Sequence, residues 1–63
     1  MYWIIDYQDT QSKVTKTINV KAPDKMSEDR VKDEVIRNRP DVGIIDYMGF
    51  TWDVPEKIDM TID

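Results

Sequence analysis

Two aspartates, Asp6 and Asp46, occupy the same position in two copies of one tetrapeptide, Ile-Ile-Asp-Tyr. Two carboxylates held close together can split their pKa values and share a proton, which is the arrangement of an acid–base catalytic pair. The chain has no histidine, cysteine, glycine-rich phosphate loop or serine motif of the nucleophilic type. A core of this size also leaves little room for a substrate pocket. We therefore expect solvated strand carboxylates and no enzyme, with a small carboxylate-dependent enzyme as the disfavoured alternative.

Acidic residues also suit hard metal ions, because calcium and magnesium prefer oxygen ligands. Asp53, Glu56 and Asp59 lie close together near the end of the chain, but neither glycine follows a run of alternating acids, as a calcium-binding loop requires. The common zinc ligands are absent with cysteine and histidine. The sequence therefore predicts neither a metal site nor a cofactor.

Charge is distributed unevenly along the 63 residues, whose net charge is −4 at pH 7. Residues 1–40 contain seven acids and eight bases, whereas residues 41–63 contain six acids and Lys57 as their only base. Such a segment repels nucleic acid and anionic membranes and attracts a basic surface. Direct binding of nucleic acid or a membrane is therefore not expected. Acids that serve only to keep the protein soluble would give the same composition.

Targeting signals are not evident in the sequence. No uninterrupted apolar run approaches the roughly 20 residues that are needed to span a bilayer. The first residues lack the basic region and the cleavage site of a secretory signal. We expect a cytoplasmic location.

The elements that must position these residues begin with a hairpin. Apolar and polar residues alternate in the first third of the chain, with many β-branched and aromatic types, which predicts two strands within about residues 2–21. Asp9–Ser12 supply a polar four-residue loop, and this loop would pair Tyr7 with Val14. The register places the apolar residues of both strands on one face, as a single core requires.

A helix is predicted over about residues 27–38. Ser27 suits the N-cap, and the two acids that follow it interact favourably with the helix dipole. Val31, Val35 and Ile36 form a narrow apolar stripe at helical spacing. This stripe is the surface that would pack against the strands.

The region after the helix, about residues 42–63, alternates again and predicts two or three short strands. A turn is expected at Gly49, a strand over Phe50–Val54 and a last, acidic strand over residues 57–63. One domain over residues 1–63 follows, of the α+β class, with a small mixed or antiparallel sheet of three to five strands and one helix on one face. The ββαβ order resembles a β-grasp arrangement, in which the strand after the helix lies beside the first strand.

One helix covers one face of a sheet, so the opposite face should keep apolar and acidic residues. If both tetrapeptides have the same orientation, Ile45 and Tyr47 face the helix, as the second Ile and the Tyr of the first copy do. The other members then cluster on the far face, namely Ile4, Asp6, Ile44 and Asp46. Alternatively, the last strands fold back over this face.

Exposed apolar residues with a polar rim are typical of contact surfaces. We therefore expect a non-catalytic, acidic protein-binding module that docks on a basic surface of a partner, such as a nucleic-acid-processing enzyme. Small acidic inhibitors from bacteriophages and mobile elements work in this way. The alternative is a homo-oligomer, such as a homodimer, that associates through the apolar sheet face. The residues expected to contact the partner are Tyr2, Ile4, Asp6, Ile44, Asp46, Phe50, Trp52, Asp53, Glu56 and Asp59.

Overall fold

The computed structural model describes residues 1–63 as four strands and one helix. In chain order these are β1 (Tyr2–Asp9), β2 (Thr15–Lys21), α1 (Glu28–Asn38), β3 (Val42–Thr51) and β4 (Met60–Thr61). The strands form one sheet in the order β3-β1-β2-β4, in which β4 runs parallel to β2 and the other neighbours are antiparallel. A mixed sheet with one helix confirms the α+β prediction, and β3 lies beside β1 as the predicted order requires.

The hairpin of β1 and β2 forms in a register two residues away from the predicted one. Tyr7 lies opposite Lys16 and not opposite Val14. The loop comprises residues 10–13 and is closed by a 2.9 Å hydrogen bond from the Asp9 amide to the Val14 carbonyl. Since side chains alternate with a period of two, this shift leaves each residue of β2 on its predicted face.

The predicted register was wrong because it counted Asp9 as the first loop residue. Asp9 is the last residue of β1, and its side chain organises the loop that follows. Its side chain is buried, and one carboxylate oxygen accepts hydrogen bonds of 2.9 Å from the amides of Gln11 and Ser12. The same carboxylate lies 3.3 Å from the Lys16 ammonium group. The pKa of Asp9 is lowered to about 2, mainly by the hydrogen bond from the Ser12 amide and next by that from the Gln11 amide. The ammonium group of Lys16 lowers the pKa further. Lys13 closes the loop at φ 61°, in the left-handed region.

Helix α1 begins as predicted. The Ser27 hydroxyl caps it by accepting a 3.2 Å hydrogen bond from the Arg30 amide. Val31 and Val35 are fully buried against the sheet, whereas Ile36, which was expected in the same stripe, is largely exposed. The chain contains no helix that is both long enough and apolar enough to cross a membrane.

The core lies between α1 and one face of the sheet. Apolar side chains from β1 and β2 alternate into it, and Val42 of β3 and Ile62, directly after β4, complete it. Its buried members are Trp3, Ile5, Tyr7, Ile18, Val20, Ala22, Val31, Val35, Val42 and Ile62. We call this side of the sheet the helix side and the opposite side the outer side.

The turn predicted at Gly49 is wrong, because β3 continues through it and Gly49 pairs with Ile4. A side chain at Gly49 would collide with the ring of Tyr47, so glycine gives that ring its place on the strand. The strand predicted over Phe50–Val54 also fails beyond Thr51. There the Thr51 hydroxyl accepts a 3.1 Å hydrogen bond from the Asp53 amide and turns the chain.

Residues 52–59 connect β3 at one edge of the sheet to β4 at the other. The side-chain amide of Asn19, which lies on the outer side between two buried residues of β2, donates a 3.0 Å hydrogen bond to the Lys57 carbonyl. This contact places the connection against the outer side at one end of the sheet. The last predicted strand is reduced to the two residues of β4. The C-terminal part therefore covers the outer side only in part and adds no second sheet.

The repeated tetrapeptide offers a matched pair of substitutions, because Ile5 is fully buried and Ile44 is 66% exposed. We expect Ile5→Val to lower the free energy of unfolding by about 0.5–1.5 kcal/mol, since a methyl group is lost from a packed core. Ile44→Val should change it by no more than about 0.5 kcal/mol. Urea unfolding of both variants measures the difference. Equal losses would contradict the assignment of the two copies to different environments.

The loop contacts of Asp9 predict a dependence of stability on acidity. Its pKa in the folded protein, about 2, lies below the ordinary value of 3.8. The charged form is thus favoured by folding, and its contribution is present above about pH 4 and lost as the pH falls to about 2. The stability advantage of the wild type over Asp9→Asn should shrink over that interval, as measured by thermal unfolding. Asp33→Asn, at an exposed helix position, is the control and should show no such change.

Candidate partner-binding site

Strand β3 is an edge strand, so one of its two sides has no neighbour in the sheet. Hydrogen bonds from Asp9 to Val14 and from Ala22 to Met1 show that the odd-numbered residues of β1 bond to β2. In an antiparallel sheet the bonding direction alternates along a strand, so the even-numbered residues of β1 bond to β3. Their partners in β3 are Tyr47, Gly49 and Thr51.

The residues of β3 between those partners direct their backbone groups away from the sheet. These are Met48 and Phe50, which lie opposite odd-numbered residues of β1. Their N–H and C=O groups therefore lie along the solvent-facing edge without a strand partner. We call this row of groups, with the side chains beside it, the β3 edge.

Large apolar side chains are concentrated at the β3 edge and just beyond it. Ile44, Tyr47, Phe50 and Trp52 are 66%, 56%, 59% and 63% exposed. Single exposed apolar residues are ordinary, but four within nine residues of an edge strand are unusual. Phe50 lies on the helix side, where its ring centroid is 5.6 Å from that of Trp3. The edge thus presents apolar groups on both sides of the sheet.

A β-bulge explains why Tyr47 is exposed. Asp6 lies opposite Tyr47 and Tyr7 lies opposite Ile45, so Asp46 is an extra residue without a partner in β1. The bulge reverses the alternation in the second tetrapeptide. The prediction that Ile45 faces the core is confirmed, since Ile45 packs against the core cluster. The prediction that Tyr47 does so is wrong.

Asp46 lines a cavity of about 200 Å³ between α1 and β3, which we call the acidic notch. Its lining residues are Glu28, Asp29 and Lys32 of α1 and Ile45, Asp46, Tyr47 and Met48 of β3. Three carboxylates and one ammonium group thus surround an apolar floor, directly beside the β3 edge. No group of three or more acidic side chains in the chain is arranged to hold a metal ion.

Ion pairing separates the acids into two groups. Of the thirteen acids, five form an ion pair within 4.0 Å, which leaves eight without one. The eight are Asp6, Glu28, Asp29, Asp33, Asp46, Asp53, Glu56 and Asp63. Asp46, Asp53 and Glu56 belong to β3 and the connection after it, and all three are exposed. Unpaired negative charge therefore accompanies the exposed aromatic residues.

Two acids of the C-terminal segment are used by the fold. Arg39 donates hydrogen bonds of 3.0 and 2.9 Å to the two carboxylate oxygens of Asp41, and this contact holds the pKa of Asp41 below its ordinary value. Asp59 accepts a 2.8 Å hydrogen bond from the Asn19 amide and lies 3.4 Å from the Lys57 ammonium group. The carboxylate of Asp59 thus attaches the connection to β2, and its contact with a partner stays a prediction.

The residues predicted for the outer side do not form one cluster. Asp6 accepts a 2.7 Å hydrogen bond from Thr17 on the outer side, whereas Asp46 lies in the acidic notch beside α1. The bulge is the cause, because it moves Asp46 out of the alternation. The two carboxylates therefore have different surroundings, Thr17 beside Asp6 and residues of α1 beside Asp46. Tyr2 and Ile4 lie on the outer side, where Ile4 is 37% exposed.

Six residues of the β3 edge and the acidic notch escaped the sequence prediction, namely Glu28, Asp29, Lys32, Ile45, Tyr47 and Met48. Tyr47 was assigned to the core, and Glu28 and Asp29 were considered only for their place at the start of the helix. Gly49 could have indicated that Tyr47 lies at the surface. A glycine two residues away on the same face of a strand leaves room for an aromatic ring to lie flat on it. The acidic notch depends on how α1 meets β3, which no local pattern specifies.

The two tryptophans give a direct optical test of this geometry, because Trp3 is 5% exposed and Trp52 is 63% exposed. We expect Trp52→Phe to leave a blue-shifted emission that acrylamide quenches poorly. Its free energy of unfolding should stay within about 0.5 kcal/mol of the wild-type value. A red-shifted, easily quenched spectrum in that variant would place Trp3 at the surface and contradict its burial.

Comparison with known proteins finds no matching family model, no matching curated protein and no matching solved structure. A function for the chain must therefore come from the chemistry of the β3 edge and the acidic notch.

Proposed function

We propose that the protein is a non-catalytic binding module that docks on a basic surface of a partner protein through the β3 edge. The observation that supports this most is the coincidence of two features on one edge strand. Exposed Ile44, Tyr47, Phe50 and Trp52 lie among carboxylates that have no cation within 4.0 Å. Aromatic anchors with a charged rim are the usual composition of energetically important interface regions.

The distribution of positive charge supports a basic partner. Four lysines have no ion pair, namely Lys13, Lys21, Lys25 and Lys32. Lys13 lies in the hairpin loop, Lys21 at the end of β2 and Lys25 before the helix, and only Lys32 borders the acidic notch. The β3 side of the molecule is therefore the more negative one. Complementary charge increases the rate of encounter with a basic surface and disfavours acidic partners.

The partner class that suits this surface is a protein with an exposed basic groove, such as the nucleic-acid site of a nucleic-acid-processing enzyme. Such grooves carry lysine and arginine side chains for phosphate contacts, interleaved with aromatic residues. A small acidic protein seated there would compete with nucleic acid and act as an inhibitor or regulator. We place this activity in the cytoplasm, where such enzymes work, and a bacteriophage or mobile-element origin accords with it.

Self-association is the second candidate, and the free edge of β3 favours it. A sheet edge with unpaired backbone groups can pair with the same edge of another copy. The two candidates differ in a simple measurement. A homo-oligomer shows a mass and a melting temperature that rise with protein concentration, whereas a module for a different partner stays monomeric alone.

Charge-matched double variants test the proposal. Partners are captured from a lysate of the source organism at about 50 mM salt, and the retained protein is then titrated against each variant. Asp46→Asn with Asp53→Asn should weaken binding by about tenfold, because two exposed ion pairs contribute up to about 1 kcal/mol each. At about 500 mM salt the difference should nearly vanish, since screening weakens exposed charge pairs.

The control is Asp33→Asn with Asp63→Asn, which removes the same charge from exposed positions that do not line the acidic notch. Asp63 borders a different cavity, between α1 and β4. This variant should bind within about twofold of the wild type. Equal losses in both double variants, or affinity that does not respond to salt, would count against docking through the β3 edge.

A further inference from the structure

We propose that the partner contributes an extended segment that adds to the sheet as a fifth strand along the β3 edge, with a lysine or arginine side chain in the acidic notch. This inference rests on the proposed function and specifies its binding mode. It predicts that backbone hydrogen bonds, and not surface charge alone, hold the partner.

The backbone of β3 is prepared for such an addition. The N–H and C=O groups of Met48 and Phe50 point away from β1 and have no strand partner. An added strand would bond to these groups, as peptides do when they extend an exposed sheet edge. The opposite edge of the sheet is formed by β4, whose two residues offer too little length. β3 has ten residues, of which Tyr47–Thr51 pair regularly with β1, so its edge is the one that can receive a strand.

The side chains on the helix side favour a cation. Alternate residues of an added strand would project toward α1, where the acidic notch opens beside the β3 edge. Ile45 and Met48 give an apolar floor, and Glu28, Asp29 and Asp46 supply carboxylates. A lysine or arginine suits this combination, because its methylene chain packs on apolar groups while its charged end meets the acids.

The side chains on the outer side favour apolar neighbours. Tyr47 is exposed there with its ring over Gly49, and exposed Ile44 precedes it on the strand. Residues of the added strand that point outward would contact these groups across the new strand pair. The expected segment therefore alternates between cationic and apolar residues.

A second copy of this chain is the less suitable occupant of the β3 edge. Each copy has a net charge of −4, and Asp46 lies near the middle of β3. Antiparallel pairing of two β3 strands would bring two negatively charged chains together and would supply neither acidic notch with a cation. Charge therefore selects a basic segment over a second copy.

Amide exchange with a defined probe tests the inference. The probe is a short synthetic peptide in which lysine alternates with valine. In the free protein the amides of Met48 and Phe50 should exchange quickly by NMR, whereas those of Tyr47 and Gly49, which bond to β1, should be protected. The peptide should slow exchange at Met48 and Phe50 by tenfold or more and leave the other two unchanged.

Two control peptides separate strand addition from attraction by charge alone. One is N-methylated at every backbone amide, which removes all its backbone donors but keeps every charge, and the other has glutamate in place of lysine. Neither should protect Met48 or Phe50. Suppose that the N-methylated peptide binds as tightly as the lysine–valine peptide and that neither of these two protects the amides of Met48 and Phe50. Strand addition is then overturned, while docking on a basic surface stands. If no lysine peptide binds at about 50 mM salt, strand addition by a basic segment is overturned, and the lysate capture decides the proposed function separately.

A charge exchange tests the place of the cation. Asp46→Lys should weaken binding of the lysine peptide severalfold and strengthen binding of the glutamate peptide. Asp33→Lys, at an exposed position of α1 that does not line the notch, is the matched control and should leave the ratio of the two affinities nearly unchanged. The same change of ratio in both variants would show that net charge, and not the notch, determines the preference.

Discussion

The structure depends on how little surface a single eleven-residue helix can cover. α1 buries only Val31 and Val35 completely, and these two side chains close the core over β1 and β2. A chain of this length buries about 60% of the surface that it exposes when unfolded. The helix side of β3 is therefore covered only in part, and the outer side is covered only by the connection after β3. The exposed residues of β3 are a consequence of this limit, and the surface they form is available for contact.

The bulge at Asp46 decides the character of that surface. Without it, Tyr47 would repeat the role of Tyr7, which is buried and directs its hydroxyl toward Asp41 at 3.4 Å. One extra residue places Tyr47 on the outer side and Asp46 in the acidic notch. Two identical tetrapeptides thus serve different purposes, one as core and one as surface. The difference arises from pairing with β1 and is not encoded within the four residues themselves.

The sequence was sufficient wherever local chemistry and periodicity agree. Ser27 and the two valines of α1 specify the helix, and alternation in β1 and β2 specifies which side chains are buried, even though the register differs by two residues. Prediction failed where a long-range contact overrides a local preference. Gly49 has the composition of a turn but lies within a strand, because β1 pairs along it and the Tyr47 ring needs the space. The exposed Trp52 and Phe50 and the three acids of β3 and its connection could be predicted, whereas the notch required the packing of α1 on β3.

The carboxylates show which charges the fold itself requires. Asp9 accepts hydrogen bonds from two backbone amides of the loop, and Asp41 accepts them from the Arg39 guanidinium group. Asp59 accepts one from the backbone amide of Asn19. Each carboxylate therefore stabilises a specific connection. Asp46, Asp53 and Glu56 have no ion pair and are exposed to solvent. Their mutual repulsion is a small cost in water at ordinary salt, where exposed charges are screened beyond about 8–10 Å. Next to exposed aromatic groups and unpaired backbone donors, however, the same charges would exclude acidic neighbours and orient a basic one. Three acids that form no ion pair within the chain thus lie beside the exposed apolar groups of β3, and their position supports our proposal that the β3 side is a contact surface.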